Sequence, residues 1–224
     1  MPTAAMTTER AVIPFDRVDV ARSDQIAHDV TLTVEIGLFG SIALTFNRIS
    51  HTLRYVRWPE VNGPEGTPGI PLIEDRTRRV PEVPTSIFET AIEIARGIRA
   101  WCAQDFASAD AAFRNAGSTP AGPRFYHACW EACRQIPAGE VITYGELAKR
   151  AGGEPRRHAR PAGQAMRNNP WPLIIPCHRV IGSARDLHGY GGATDVDGSR
   201  LTTKRDLLVH EGFEVSESGR VLSA

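Results

Sequence analysis

Residues 143–169 read TYGELAKRAGGEPRRHARPAGQAMRNN, and this stretch decides the fold of the second half of the chain. Thr143 and Glu146 have the spacing of a capping box, in which two side chains satisfy free backbone N–H groups at a helix start. Gly152 follows the apolar residues of that helix, and glycine favours the turn that leaves a helix. The segment therefore predicts a short helix that stops at Gly152.

A second short helix is expected to begin at Arg160. Pro161 would break a helix interior, but proline is favoured at the first helical position, where its missing N–H costs nothing. The helix must end before Pro170, because a residue that precedes proline avoids the helical region. Two short helices joined by a tight turn are typical of a helix-turn-helix, whose second helix enters a groove of DNA.

Charge in the same segment favours a nucleic-acid partner. Acidic residues between positions 144 and 179 are Glu146 and Glu154, whereas the whole chain balances 26 basic against 26 acidic residues. The basic residues of the segment are Lys149, Arg150, Arg156, Arg157, Arg160, Arg167 and Arg179. Such a local excess is an electrostatic footprint for phosphates. A solvated basic face without a partner is the alternative interpretation.

The composition is that of an ordinary globular protein, with 224 residues, 42% of them hydrophobic, and no formal net charge. At roughly 100 to 200 residues per domain, two domains are expected. The Pro- and Gly-rich stretch 115–123 predicts a boundary that separates residues 1–118 from residues 119–224. Apolar runs stay well short of the ~20 residues of a membrane span, and no signal sequence is recognisable, so we expect a cytoplasmic protein without a membrane partner.

The N-terminal part predicts a small β-sheet followed by a helix. Residues 31–58 alternate apolar and polar side chains over three runs, and Gly37 and Gly40 supply a hairpin turn. Ser86 and Glu89 are expected to form a second capping box that opens a long amphipathic helix. Together with a mostly helical C-terminal part, the predicted fold class is α/β (α+β).

Cys177 follows an apolar run and directly precedes His178, which places a thiol beside an imidazole in the sequence. The thiolate is the nucleophilic form, and a free thiol with a pKa of about 8.5 needs a base or a cation to lose its proton at neutral pH. Glu211 is a candidate to orient the imidazole. Neighbouring residues often point apart, however, and a generic pair of this kind is structural more often than catalytic.

A longer pattern surrounds this pair. Residues 169–180 have the pattern Asn-Pro-x-Pro-x-x-Ile-Pro-Cys-His-Arg-Val, which resembles the active-site signature of the O6-alkylguanine-DNA alkyltransferases, the methylated-DNA-protein-cysteine methyltransferases. Further matching segments are 136–148, 160–166, 189–192 and 204–212. The resemblance covers roughly residues 124–212, and the N-terminal half agrees as a β-hairpin-plus-helix domain of similar length.

The resemblance implies DNA repair by direct reversal, with a single, irreversible transfer of an alkyl group from O6-alkylguanine to Cys177. His178, through a water, and Glu211 would convert the thiol to a thiolate, and Asn169 would order the turn that carries it. Tyr144 would donate a proton to the leaving guanine and help to rotate the nucleotide out of the duplex. The resemblance implies no cofactor.

The implied partner is double-stranded DNA that contains O6-alkylguanine, bound by a monomer, with cooperativity along the DNA left open. Arg160 would enter the base stack, Ala162 and Gly163 would allow close approach to the minor groove, and Arg167 would contact DNA. The guanine pocket would be lined by Met166, Val180, Tyr190, Gly191 and Gly192.

Three features depart from the family pattern. Pro161 stands where a small helix former is usual, and residues 193–203 form a longer spacer beside the expected pocket. Some relatives hold a structural zinc in the N-terminal domain, but the first cysteine of this chain is Cys102, so we expect no metal.

Two other function classes compete with alkyl transfer. A helix-turn-helix module could recognise alkylated DNA or regulate transcription without chemistry, but it would give Cys177 and its neighbours no role. A Cys-His hydrolase of a small acyl substrate would need turnover and an oxyanion hole, and it would give the basic segment no role.

Overall fold

The computed structural model describes residues 18–21, 29–35, 41–47, 49–57, 84–117, 119–187 and 199–223. Four antiparallel strands form a sheet in the order β1-β2-β3-β4, with β1 at Val18–Ala21, β2 at Asp29–Glu35, β3 at Ser41–Asn47 and β4 at Leu53–Arg57. The predicted N-terminal sheet is confirmed, and β1 is a strand that the sequence pattern does not predict. The turn expected at Gly37 and Gly40 lies outside the described residues.

The sheet contributes one face to the core through β3 and β4. Leu44 and Phe46, two positions apart on β3, are both 0% exposed, as the alternation of side chains along a strand requires. Leu53 and Val56 of β4 are also buried. Leu44 pairs with Leu32 of β2 and with Val56 of β4, so the apolar pattern fixes the register of the strands.

Helix α1 (Thr85–Cys102) packs an apolar face into the same core. Ile87, Ile94, Ile98 and Trp101 are at most 1% exposed, and their spacing places them on one side of the helix. The predicted capping box at its start is wrong. The helix begins after Pro84 without a side-chain cap, so Ser86 lies inside the first turn and its hydroxyl pairs with Nδ1 of His51 at 2.7 Å.

Helix α2 (Phe106–Asn115) follows directly and is not predicted by the sequence pattern. The side chain of Asp105 caps it by accepting the N–H of Ser108 at 3.3 Å. The segment is short and rich in alanine, so its apolar periodicity is weak. Its buried side chains include Asp110, a charged residue that reaches the functional site described below.

The C-terminal part contains α3 (Arg124–Arg134), α4 (Tyr144–Arg150) and α5 (Pro155–Arg167). The predicted capping box of α4 is confirmed: the N–H of Glu146 donates to Oγ1 of Thr143, and the N–H of Thr143 donates to Oε2 of Glu146. After α4 the chain turns at Gly152, where φ is +81°. Helices α4 and α5 thus form the expected pair.

The predicted start of α5 at Arg160 is wrong. The helix begins at Pro155, which takes the first helical position, and Pro161 lies inside it. Pro161 therefore cannot donate to the carbonyl of Arg157, a defect that costs up to about 3 kcal/mol in a helix interior. Packing of the buried face of α5 against α3 offsets this cost, with the Trp130 indole N–H donating to the Ala165 carbonyl at 2.9 Å.

One apolar core crosses the predicted boundary at residues 118/119. It joins Leu44 of the sheet and Ile98 of α1 to Cys129 of α3 and Ile175. A smaller cluster forms around α6 (Ser199–His210) and the hairpin of β7 (Glu214–Val215) and β8 (Val221–Ser223). The division into two domains stays a prediction. None of the described helices is long and apolar enough to cross a membrane.

Candidate active site

Cys177 is presented by a compact turn that the N-terminal sheet helps to hold. The carbonyl of Pro170 accepts the N–H of Val56 at 2.9 Å, and the Trp171 indole N–H donates to the carbonyl of Arg54 at 3.1 Å. Leu173 then adopts a φ of +74°, which reverses the chain direction. The turn delivers the thiol to the edge of the core, where Cys177 is 7% exposed.

A short 3₁₀ helix, Cys177–Arg179, carries the thiol and the imidazole, and it leads into strand β6 (Val180–Ile181). Strand β6 pairs in parallel with β5 (Ile142–Thr143), which directly precedes Tyr144 at the start of α4. The short sheet therefore brings the Cys177 turn next to the helix pair.

Asn169 uses both ends of its amide to order this turn. Its Nδ2 donates to the carbonyl of Ile175 at 2.9 Å and to Sγ of Cys177 at 3.2 Å, and its Oδ1 accepts the N–H of Trp171 at 2.9 Å. A donor aimed at sulfur stabilises the thiolate more than the thiol. The Asn169 amide therefore ties Cys177 to the turn that carries it.

His178 and Glu211 are in direct contact although 33 positions separate them. Nε2 of His178 lies 3.0 Å from Oε1 of Glu211, and both side chains are 0% exposed. Nδ1 of His178 is buried and has no hydrogen-bond partner among the described residues. A buried polar atom of this kind is costly and is commonly found where a water or a reacting group binds.

The protonation states follow from the environment of the pair. Burial alone would raise the pKa of Glu211, but His178 and Arg179 together hold the pKa of this carboxyl well below its usual range. Burial lowers the pKa of His178 and outweighs the opposing effect of Glu211, while Arg179 acts in the same direction as burial. An ionised carboxylate can only accept, so Nε2 of His178 carries the hydrogen and Nδ1 presents its lone pair as a base.

Glu211 is further held by groups that sequence reasoning missed. Arg179 places Nη2 2.7 Å from Oε1 of Glu211, and the Trp101 indole N–H donates to the same oxygen at 2.9 Å. Arg179 also reaches Asp110 of α2, with Nη1 3.0 Å from Oδ1. An acidic residue within an apolar helix face, such as Asp110, was the available signal for a buried ion pair.

Tyr144 lies at the start of α4 beside α5, where its ring is close to Gly163. Burial raises the pKa of its phenol well above the ordinary value, and Cys177 adds to the shift. The phenol therefore stays protonated at neutral pH. Lys204 of α6 is buried nearby, with Nζ donating to the carbonyls of Val180 and Leu187 at 2.7 Å each.

The residues predicted to contact DNA fall into two groups. Arg160 and Arg167 are exposed on α5, and Gly163 is half-buried. Ala162 is 0% exposed and lies on the inward face of α5 together with Ala165. The close approach to the minor groove that Ala162 and Gly163 are expected to allow stays a prediction.

The predicted pocket is described only in part. Met166 and Val180 are buried, and the carbonyl of Val180 accepts a hydrogen bond from Lys204. Tyr190, Gly191 and Gly192 lie outside the described residues, as does most of the longer spacer 193–203. Within the described segments no group of three or more His, Cys, Asp or Glu side chains is placed to hold a metal ion.

Comparison with known proteins places this site in a family. A family model for the DNA-binding domain of 6-O-methylguanine DNA methyltransferase matches residues 124–213. A methylated-DNA–protein-cysteine methyltransferase of Methanosarcina acetivorans is 37% identical over 118 residues, which make up 51% of this chain and 71% of that protein. A relative of the same name from Haemophilus influenzae is 38% identical over 102 residues, 46% of this chain and 56% of that protein.

Among solved structures, the O6-methylguanine methyltransferase of Mycobacterium tuberculosis aligns with 80% of this chain and 90% of its own, at 27% identity and a TM-score of 0.49. The chain spans only 56% of the Haemophilus protein, about half its length. It spans more than two thirds of the Methanosarcina protein at 37% identity. The chain therefore belongs to the methylated-DNA–protein-cysteine methyltransferase family.

Proposed function

We propose that the protein repairs DNA by transferring the alkyl group of O6-alkylguanine to its own Cys177. The observation that carries this proposal is one connected set of contacts. Asn169 donates to the Cys177 sulfur, and His178, next to Cys177 in sequence, is held by the ionised Glu211. Nδ1 of His178 has no hydrogen-bond partner in the part of the chain that the structure describes. This is the nucleophile, base and orienting group that covalent catalysis requires.

The relay generates the thiolate. A water bound between Sγ of Cys177 and Nδ1 of His178 would pass the thiol proton to the imidazole. Glu211 then faces an imidazolium at Nε2, which its negative charge stabilises. Because Arg179 and Trp101 donate hydrogen bonds to the same carboxylate, Glu211 remains a fixed anion and does not itself accept the proton.

The transfer is a displacement at the alkyl carbon. The thiolate forms a new S–C bond while the C–O6 bond breaks, and the electron pair of that bond stays on the guanine. Tyr144, whose phenol is protonated, donates a proton to the departing base, and the resulting Tyr144 phenolate regains a proton through solvent from the protonated His178. The products are a thioether at Cys177 and unmodified guanine. A thioether has no leaving group that the relay can expel, so each molecule acts once.

The proposed partner is duplex DNA that carries the lesion, bound by a monomer. A base in a duplex must leave the stack before its O6 atom can be reached. Arg160 is exposed on the second helix of the pair and suits the role of a side chain that fills the space. Arg167 on the same helix adds a phosphate contact.

The test is mass spectrometry of the intact protein and its peptides after incubation with a duplex that contains one O6-methylguanine. We expect a stoichiometric gain of one CH2 on Cys177 in the wild type and none in Cys177→Ala. Cys102→Ala serves as the matched control, since Cys102 is another thiol, outside the relay, and should leave the gain unchanged. No gain in the wild type, with DNA binding retained, would instead support a helix-turn-helix module that recognises DNA without chemistry.

A further inference from the structure

Lys204 is a buried cation that the proposed relay does not use. Its side chain lies on α6 and is 0% exposed, although lysine is almost never fully buried unless it is paired. The chain has two lysines, Lys149 and Lys204, among its 26 basic residues, and all the others are arginines. Lys149 is exposed on α4. The buried position therefore holds a compact ammonium in a chain that otherwise relies on guanidinium groups.

The ammonium joins three parts of the site. It donates to the carbonyl of Val180, directly after the Cys177 turn, and to the carbonyl of Leu187, the last residue of the described range 119–187. Nζ also lies 5.9 Å from the centre of the Tyr144 ring, a distance typical of a cation–π contact. Both carbonyls are neutral, so they satisfy N–H groups of Lys204 without cancelling its charge.

Titratable groups face Lys204 from each element packed against it. Cys177 and His178 belong to the 3₁₀ helix, Cys133 to α3, Asp186 to the segment before Leu187, and Tyr144 to α4. Burial lowers the pKa of Lys204 to about 8, while Cys177, followed by Asp186 and Cys133, acts in the opposite direction. At neutral pH the Lys204 amine is therefore mostly protonated, and Cys177 favours this protonated form.

Arg179, a second buried cation near the thiol, is already paired with two carboxylates. Arg179 lies between the carboxylates of Glu211 and Asp110, at 2.7 Å and 3.0 Å, so this trio carries a net negative charge. Negative charge and burial both disfavour a thiolate. A positive charge on Lys204 offsets the net negative charge of this trio before the thiol proton moves.

We propose that Lys204 is the counter-ion of the Cys177 thiolate, a positioning residue that stabilises charge on Sγ while it fixes the Val180 and Leu187 carbonyls around the reactive turn. This inference rests on the proposed function of Cys177 as a nucleophile, but it concerns the thiolate and not the DNA. In this scheme His178 removes the proton, and Lys204 makes the resulting anion stable enough to react.

The first test measures thiolate formation without DNA. The rate at which iodoacetamide alkylates Cys177 is followed by peptide mass spectrometry from about pH 6 to about pH 10. We expect Lys204→Met to shift the profile to higher pH and to slow alkylation at neutral pH by about tenfold, the effect of raising the thiol pKa by about one unit. Arg205→Met, which removes a cation from the next position of the same helix, should leave the profile in place. An unshifted profile in a folded Lys204→Met protein overturns the proposal.

The second test keeps Lys204 intact and covers the case in which Lys204→Met does not fold. With two lysines in the chain, the side-chain NMR signals of Lys204 and Lys149 can be followed together through a pH titration. Coupling is reciprocal, so Cys177→Ser should lower the pKa of Lys204 from its wild-type value. An unchanged Lys204 titration in Cys177→Ser, with a shift in Asp186→Asn instead, would assign Asp186 as the partner and overturn the proposal.

Methyl transfer from the lesion-bearing duplex separates the two proposals. If wild-type protein transfers no methyl group but its Cys177 profile still depends on Lys204, the counter-ion proposal stands and the repair function fails. If methyl transfer occurs and neither the alkylation profile nor the Lys204 titration shows coupling, the repair function stands and the counter-ion proposal fails.

Discussion

A single oxygen atom, Oε1 of Glu211, lies within hydrogen-bond distance of three other side chains of the site. It lies 3.0 Å from Nε2 of His178, 2.7 Å from Nη2 of Arg179 and 2.9 Å from the Trp101 indole nitrogen. Donors from three residues around one buried oxygen keep the carboxylate ionised and immobile. His178 therefore has one possible orientation, and its basic nitrogen points away from Glu211.

At the residue scale we predict a pH-dependent contribution of Glu211 to stability. Its pKa is lowered by folding, so the stabilisation is present above the unfolded value of about 4.3 and is lost as the pH falls below it. At pH 7, Glu211→Gln should reduce the free energy of unfolding by about 3 kcal/mol, because it leaves Arg179 and His178 without a buried anion. Urea unfolding at pH 7 and at about pH 4 measures both effects.

The difference in the free energy of unfolding between wild type and Glu211→Gln should be smaller at the lower pH. The exposed Glu217 provides the control, since Glu217→Gln should leave the unfolding midpoint at pH 7 unchanged. A difference of equal size at both pH values would mean that the carboxylate acts by shape alone and not by charge.

The chemistry of the site could be predicted from the sequence only where it is carried by neighbouring residues. Cys177 and His178 are adjacent, and the pattern that extends to Asn169 marks them as a pair. Trp101 contacts Glu211 across 110 positions and Asp110 contacts Arg179 across 69 positions. No local pattern identifies which partner either residue will meet. Lys204 belongs to a recognisable motif, but its burial depends on how α6 packs.

At the scale of elements, helix starts show which signals suffice. Thr143 and Glu146 form a capping box because the preceding strand β5 fixes the chain up to the cap. Ser86 and Glu89 have the same spacing but lie within a turn that Pro84 has already begun. A helix can begin at either of two neighbouring residues, and the rest of the fold decides between them. A motif of four residues does not contain that information.

Helix α5 gives the second prediction, because its two prolines occupy unlike positions. Pro161→Ala restores a donor to the carbonyl of Arg157 and should stabilise the protein by about 1–3 kcal/mol, raising Tm by several degrees. Pro155→Ala is the matched control and should change Tm little, since the first helical position has no intrahelical N–H bond to lose. Differential scanning calorimetry of the three proteins makes the comparison. A lower Tm for Pro161→Ala would show that the surrounding packing depends on the proline.

At the scale of the whole molecule, buried polar contacts join the two predicted domains, which also share one apolar core. Asp110 of α2 accepts from Arg179 at 3.0 Å and from the N–H of Ala138 at 2.9 Å, while Trp101 of α1 binds Glu211. If one half unfolded alone, the buried charges of the other half would lose their partners, at a large cost in free energy. The first half of the chain thus contributes directly to the geometry of the relay.

This coupling leads to the third prediction, that the described halves unfold together. The chain has four tryptophans, and fluorescence reports on all of them. Trp101, Trp130 and Trp171 are buried and lie on both sides of the predicted boundary, while far-UV circular dichroism reports on all helices. Their urea transitions should coincide, as expected for a cooperative unit. Asp110→Asn should move both transitions together to lower urea, by about 2 kcal/mol or more, because it removes a charge from a buried pair. Two separated transitions in the wild type, or a shift confined to one probe, would mean that residues 1–118 and 119–224 are independent domains and that the Asp110–Arg179 contact only joins their surfaces.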